Sequence, residues 1–213
     1  MHEKMIAFVV VLLVSVAAVA KEDNTSVQVN EDDVRRWNTF ADDLYRLHRQ
    51  QLSGRKVRET EQMGGYAGLP EFYREVSYFD VDTGRLLSRI QWERAQAERI
   101  HSIEVYVYGN DGRLARDYLA WYLPDARNAP RQTAVNLHHY AGDLHGWRQF
   151  DASGNRIYEK CSRTPDEKPL FDLSGEDRIA HAEDNPRSIV HSGEYRRCFG
   201  NLPKTAGIFL RPH

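Results

Sequence analysis

Three histidines and an aspartate crowd into one stretch, Leu137-His138-His139-Tyr140-Ala141-Gly142-Asp143-Leu144-His145. Neutral imidazole is a common ligand for transition metals, and a carboxylate can complete such a set. Gly142 marks a reversal of direction, so the stretch reads as a hairpin. A three-residue loop over Ala141 to Asp143 would set His139 across from His145. A two-residue loop at Ala141-Gly142 would pair His138 with His145 instead. Cross-strand Cβ atoms sit roughly 5 Å apart, a separation that two imidazoles can bridge to one metal ion. His138, His139, His145 and Asp143 are therefore the candidate metal ligands, with His101, His181 and His191 as further donors. No fixed ligand spacing accompanies them, and half-exposed histidines on a polar strand face are the plainer alternative.

Other reactive patterns are thin. Asp80-Val81-Asp82-Thr83-Gly84 resembles the Asp-x-Asp motif of haloacid-dehalogenase-type phosphatases, but that family needs a parallel strand and an α/β surround. The residues after Gly84 read as a returning strand, so a hairpin turn explains the motif better. The chain contains no Gly-x-Ser-x-Gly, His-Glu-x-x-His or Cys-x-x-Cys. Glu104, Asp117, Asp151 and Glu159 fall on or near expected strands, and nothing in their spacing selects an acid–base pair. The expected role is therefore non-catalytic binding, with a metal-dependent site at His138, His139 and His145 as the alternative.

Aromatic residues carry the binding expectation. Trp92, Tyr106, Tyr118, Trp121, Tyr140 and Trp147 all lie on expected strands. Amphipathic rings on a half-exposed sheet suit a protein or peptide, a glycan or a small apolar ligand. They equally suit cross-strand packing. A net charge of −2 with interspersed signs argues against a nucleic-acid partner, which needs a basic stripe.

The opening residues read as an address. Lys4, the apolar run from Met5 to Val19 and the small-x-small triplet Ala18-Val19-Ala20 form a signal-peptide pattern over 1–20. The run is short for a membrane span, which needs about 20 apolar residues. The expected product is exported, periplasmic or secreted, and not embedded in a membrane once the signal is removed. Residues 21–30 are polar without periodicity and are expected to form a flexible lead-in. In an oxidising compartment Cys161 and Cys198 make one disulfide, worth roughly 3–4 kcal/mol in the chain-entropy model.

The elements that must position these groups follow from periodicity. Val34, Trp37, Phe40, Ala41, Leu44 and Leu47 form a helical stripe. Asn30 as N-cap, Glu31, Asp32 and Asp33 in the first turn, and Gly54 at the end bound a helix over 31–52. Residues 55–71 read as a Gly-rich connector. Beyond it, alternation predicts strands at 72–80, 85–92, 101–108, 113–123, 133–140, 144–150 and 155–161. Leu86, Ser88, Ile90 and Trp92 share one face, and Ile103, Val105 and Val107 oppose Glu104 and Tyr106. Short turns between successive strands require antiparallel pairing. The expected class is α+β: an antiparallel meander of about seven strands carrying one amphipathic helix, with an irregular, disulfide-tied tail over 162–213.

Three of the corners share a chemistry: Phe79-Asp80-Val81-Asp82-Thr83-Gly84-Arg85-Leu86, Tyr108-Gly109-Asn110-Asp111-Gly112-Arg113-Leu114 and Phe150-Asp151-Ala152-Ser153-Gly154-Asn155-Arg156-Ile157. These tips resemble the YD repeats of Rhs-type secreted proteins, although Tyr108-Gly109 departs from the aromatic-Asp order. The resemblance is confined to residues 72–161 and implies hairpin architecture alone.

Overall fold

In the computed structural model, residues 30–124, 128–164 and 168–213 are described. The expected signal segment 1–20 and lead-in residues 21–29 lie outside them. The first element is helix α1, Glu31–Leu52. The Asn30 side chain accepts hydrogen bonds from the backbone N–H groups of Asp32 and Asp33, at 3.0 and 3.4 Å. Those donors have no partner within the helix, and three acidic residues in the first turn oppose the helix dipole. The helix stops at Ser53, and Gly54 takes the positive φ, 75°, that turns the chain away.

Nine strands follow in one open sheet: β1 Val57–Tyr66, β2 Leu69–Asp80, β3 Leu86–Glu93, β4 Ile100–Tyr108, β5 Leu114–Trp121, β6 Gln132–Ala141, β7 Leu144–Phe150, β8 Arg156–Arg163 and β9 Lys168–Ser174. Each pairs antiparallel with its sequence neighbours, in the order β1 to β9. The sheet is thus wider than the seven strands that alternation predicts. The supposed connector 55–71 contains β1 and the start of β2, and β9 extends the meander past residue 161.

The three similar corners are hairpins with a common device. Gly84, Gly112 and Gly154 have φ of 71, 81 and 93°, which an L side chain rarely adopts. At the second tip Gly109 N–H donates to Arg113 C=O at 2.9 Å and Gly112 N–H to Gly109 C=O at 2.9 Å. At the third, Asp151 N–H donates to Asn155 C=O at 3.0 Å and Gly154 N–H to Asp151 C=O at 3.1 Å. The register slips beside every one of them, at Tyr78/Phe79, Val107/Tyr108 and Gln149/Phe150. A left-handed glycine followed by a bulge is the usual closure of such loops, and the bulge adds local twist. Between β3 and β4, Glu93–Arg99 forms a pair of turns, closed by the Gln96 and Arg99 N–H groups.

All described helices lie on one face of the sheet. Helix α1 brings Trp37, Phe40, Leu44 and Leu47 onto Ile90, Ile103, Val105, Tyr118, Val135, Leu137 and Phe150 in the main core. Leu44, Ile90, Val105, Tyr118 and Phe150 are all fully buried. The region expected to be an irregular tail instead continues as β9, helix α2 (Glu176–Asp184), helix α3 (Gly193–Phe199) and 3-10 turns at Ile189–His191 and Gly207–Leu210. A second core of Leu144, Cys161, Phe171, Val190, Tyr195, Cys198 and Phe199 holds this layer to the far half of the sheet. The Cys161–Cys198 disulfide pins α3 to β8, with Cα atoms 6.0 Å apart. Gly146 of β7 lies directly under the carbonyl of Cys198, where no Cβ would fit.

Candidate functional site

Strand alternation decides what faces away from the helices. In β7, Leu144, Gly146, Arg148 and Phe150 are buried, while His145, Trp147 and Gln149 between them are half-buried. Register then carries that second face across the sheet: Tyr106 opposite Asp117, Asp117 opposite Asn136, Asn136 opposite Gln149, and Gln149 opposite Tyr158. Among the described residues no helix covers this face. It is rich in aromatic rings, amides, imidazoles and carboxylates, and most of them are only partly exposed.

Two groups of hydrogen bonds and ion pairs fix the side chains. Glu75 accepts from Gln62 and Gln91, each at 2.8 Å. Arg89 stands between Glu75 and Glu104, at 3.3 and 3.6 Å. The Tyr106 hydroxyl donates to Glu104, and burial together with that carboxylate raises its pKa far above the ordinary phenol range. Further along, Asn136 Nδ2 donates to Asp117 at 2.6 Å, and Asn136 Oδ1 accepts from Gln149 Nε2 at 2.8 Å.

The histidine cluster takes a form that neither loop length anticipates. The reversal uses Gly142 and Asp143 as its two-residue tip, with Ala141 opposite Leu144. Gly142 supplies φ of 64° at the first tip position, where a two-residue hairpin demands it. Tyr140 therefore opposes His145, and His139 opposes Gly146 on the helix side. His138 reaches His145 diagonally, Nδ1 to Nε2 at 3.0 Å, and its Nε2 lies 2.6 Å from Asp117. A carboxylate only accepts, so Nε2 of His138 carries a proton, and its Nδ1 shares a hydrogen bond with His145 Nε2. The His145 ring stacks on Tyr140 at 4.6 Å and 6°, and Arg113 lies over the other ring of that pair, 5.2 Å from the Tyr140 centroid.

This corrects the metal set. His139 is on the opposite face, and Asp143 sits in the turn paired with Arg163 at 2.6 Å. His101 is packed among Tyr66, Phe72, Tyr73 and Trp121. His181 and His191 belong to the helical layer. Both nitrogens of His138 are engaged, and among the described residues no three His, Cys, Asp or Glu side chains are grouped to hold a metal ion. Asp117–His138 also lacks the arrangement of a hydrolytic triad. The second ring nitrogen there meets another imidazole, where a triad needs a nucleophile.

The six candidate aromatic residues divide between the two faces. Tyr106, Trp121, Tyr140 and Trp147 share the helix-free side. Trp92 and Tyr118 do not: Trp92 meets Tyr45 of α1 edge-on at 6.3 Å, and Tyr118 meets Phe40 at 6.2 Å within the main core. Both share the face of Ile90 and Val105, so burial of apolar area fixes their role as packing. Trp147 packs on Tyr158 at 4.9 Å. Its indole N–H is buried and meets no acceptor among the described residues. Trp121 donates its own N–H to His101 Nε2 at 3.0 Å. Asp117, Asn136 and Gln149, which order the centre of this surface, were not among the expected site residues, because only strand register brings them together. Comparison with known proteins finds no matching family model, no similar curated protein and no similar solved structure.

Proposed function

We propose that this chain is an exported, non-catalytic binding protein whose helix-free sheet face takes a glycan. The observation that supports this reading is that the Tyr106, Tyr140 and Trp147 rings share one sheet face with the hydrogen-bonded group of Asp117, Asn136, His138 and Gln149. Sugar rings offer apolar faces for stacking and hydroxyls that both donate and accept, and this surface presents both kinds of partner. Side chains already held by neighbours lose little freedom on binding. The disulfide is compatible with an extracellular or periplasmic setting.

Titration calorimetry against a panel of neutral oligosaccharides and polysaccharides tests the proposal. Binding of at least one of them is expected, weakened about tenfold or more by Trp147→Ala or Tyr140→Ala, with circular dichroism unchanged. A panel with no saturable binder, or binding indifferent to both substitutions, refutes it.

A further inference from the structure

On the other side of the sheet, a cleft of about 370 Å³ opens between the helical layer and the loop that follows α3. It falls within the size range of small-molecule sites, roughly 300–1,000 Å³. Its walls are apolar: Val190, Tyr195 and Phe199, the same side chains that build the second core. Its floor is Arg148, a residue with only 1% of its surface exposed. Arg148 Nε donates to Glu159 at 2.6 Å, and Nη1 donates to the carbonyls of Leu202 and Pro203 at 2.8 and 2.9 Å. Nη2 makes one long contact, 3.4 Å, to the Tyr195 hydroxyl, which leaves its second hydrogen without an acceptor among the described residues.

The charge around the cleft is unbalanced. Glu159 is matched by Arg148 and Arg156, and Glu183 by Arg156 at 2.7 Å and Lys204 at 3.0 Å. Arg196 also lines the opening and has no carboxylate against it among the described ion pairs. Among the charged side chains that line the cleft, Arg148, Arg196 and Lys204 thus outnumber Glu183. A cationic surplus at the floor and rim of an apolar slot favours a ligand with the inverse pattern. Low-dielectric walls also strengthen the attraction to an anion.

We infer that this cleft binds a small amphipathic carboxylate, an organic acid whose apolar body lies against Val190, Tyr195 and Phe199 and whose carboxylate faces Arg148, Arg196 and Lys204. The site is separate from the helix-free face and does not depend on the glycan reading. Guanidinium and ammonium groups recognise a carboxylate by charge-assisted hydrogen bonds, which are stronger than neutral ones.

Isothermal titration of the purified chain with decanoate, with decanol and decylamine as chain-length controls, tests this inference. Decanoate is expected to saturate at one site, with decanol and decylamine each weaker by about tenfold or more. Arg196→Glu and Lys204→Glu reverse rim charges at exposed positions and should each weaken decanoate about tenfold. Arg197→Glu, on the same helix but outside the cleft, should change it less than about twofold. Absence of saturable decanoate binding overturns the inference. So does equal binding of decanol, or indifference to both rim reversals.

Discussion

His48 should make this protein lose stability in mild acid. Its ring is only 5% exposed, with Nδ1 2.7 Å from the Ser88 hydroxyl and the Tyr78 ring centred 4.8 Å away. Tyr45 stacks on it, and Arg49 is its neighbour in sequence. Burial, with the Arg49 charge as a lesser cause, lowers its pKa from 6.5 to about 4. The unfolded chain then binds a proton at a pH where the folded chain does not. Stability is therefore full above pH 6.5 and falls as the pH drops toward 4. From those two values, linkage gives a loss of about 2 kcal/mol between pH 7 and pH 5, approaching about 3 kcal/mol near pH 4. Urea unfolding of the native chain and of His48→Gln at both pH values measures it. Carboxylates titrate in both proteins and cancel in the comparison, so the native chain should lose about 2 kcal/mol more than the variant. Equal losses in the two proteins would refute the assignment of a buried, neutral imidazole at this position.

Other expectations concern how the helical layer is held. Arg148→Met takes from the buried Glu159 carboxylate its nearest cation, leaving it Arg156 at 3.5 Å and the Tyr195 hydroxyl, and should cost about 3 kcal/mol by denaturant unfolding; the double variant with Glu159→Leu should recover most of the loss. Replacing Cys161 and Cys198 by serine opens a link of sequence separation 37 and should cost about 4 kcal/mol in the chain-entropy model, read as a lower urea midpoint. Gly146→Ala drives a methyl into the Cys198 carbonyl and should destabilise by about 2 kcal/mol or more, with faster hydrogen exchange in α3 than in α1. Leu44→Ala empties a site with no exposed surface and should cost about 3 kcal/mol.

Much of the architecture can be read without coordinates because its causes are local. The Trp37, Phe40, Leu44 and Leu47 stripe, the Asn30 cap and the Asp-Gly corners are short-range signals, and each corresponds to an element observed here. Strand β1 is invisible for a physical reason. Val-Arg-Glu-Thr-Glu-Gln-Met-Gly-Gly-Tyr is mostly exposed, so neither of its sides needs an apolar rhythm. The C-terminal helices, of nine and seven residues, are too short to show a stripe; the disulfide and the second core hold them. At the site, the His138–His145 hairpin was legible, but its pairing hinged on which residues form the tip. Asp117 joins them through a strand partner far away in sequence, which no local pattern reports. Trp92 and Tyr118 could have been assigned to the packed side, since alternation already aligned Trp92 with Ile90.

A sheet that never closes leaves two margins at which another copy could add itself. Strand β1 is one, and a twofold axis normal to the sheet can pair it only with residues of like parity. Centring that axis on Glu59, Thr60 or Glu61 sets glutamate against glutamate, and centring it on Arg58 sets arginine against itself. Like charges directly opposite each other oppose association. At the far margin Pro169 has no N–H to offer a newcomer. The exposed ribbon that carries no core residue is thus the part of the chain that discourages polymerisation into longer sheets.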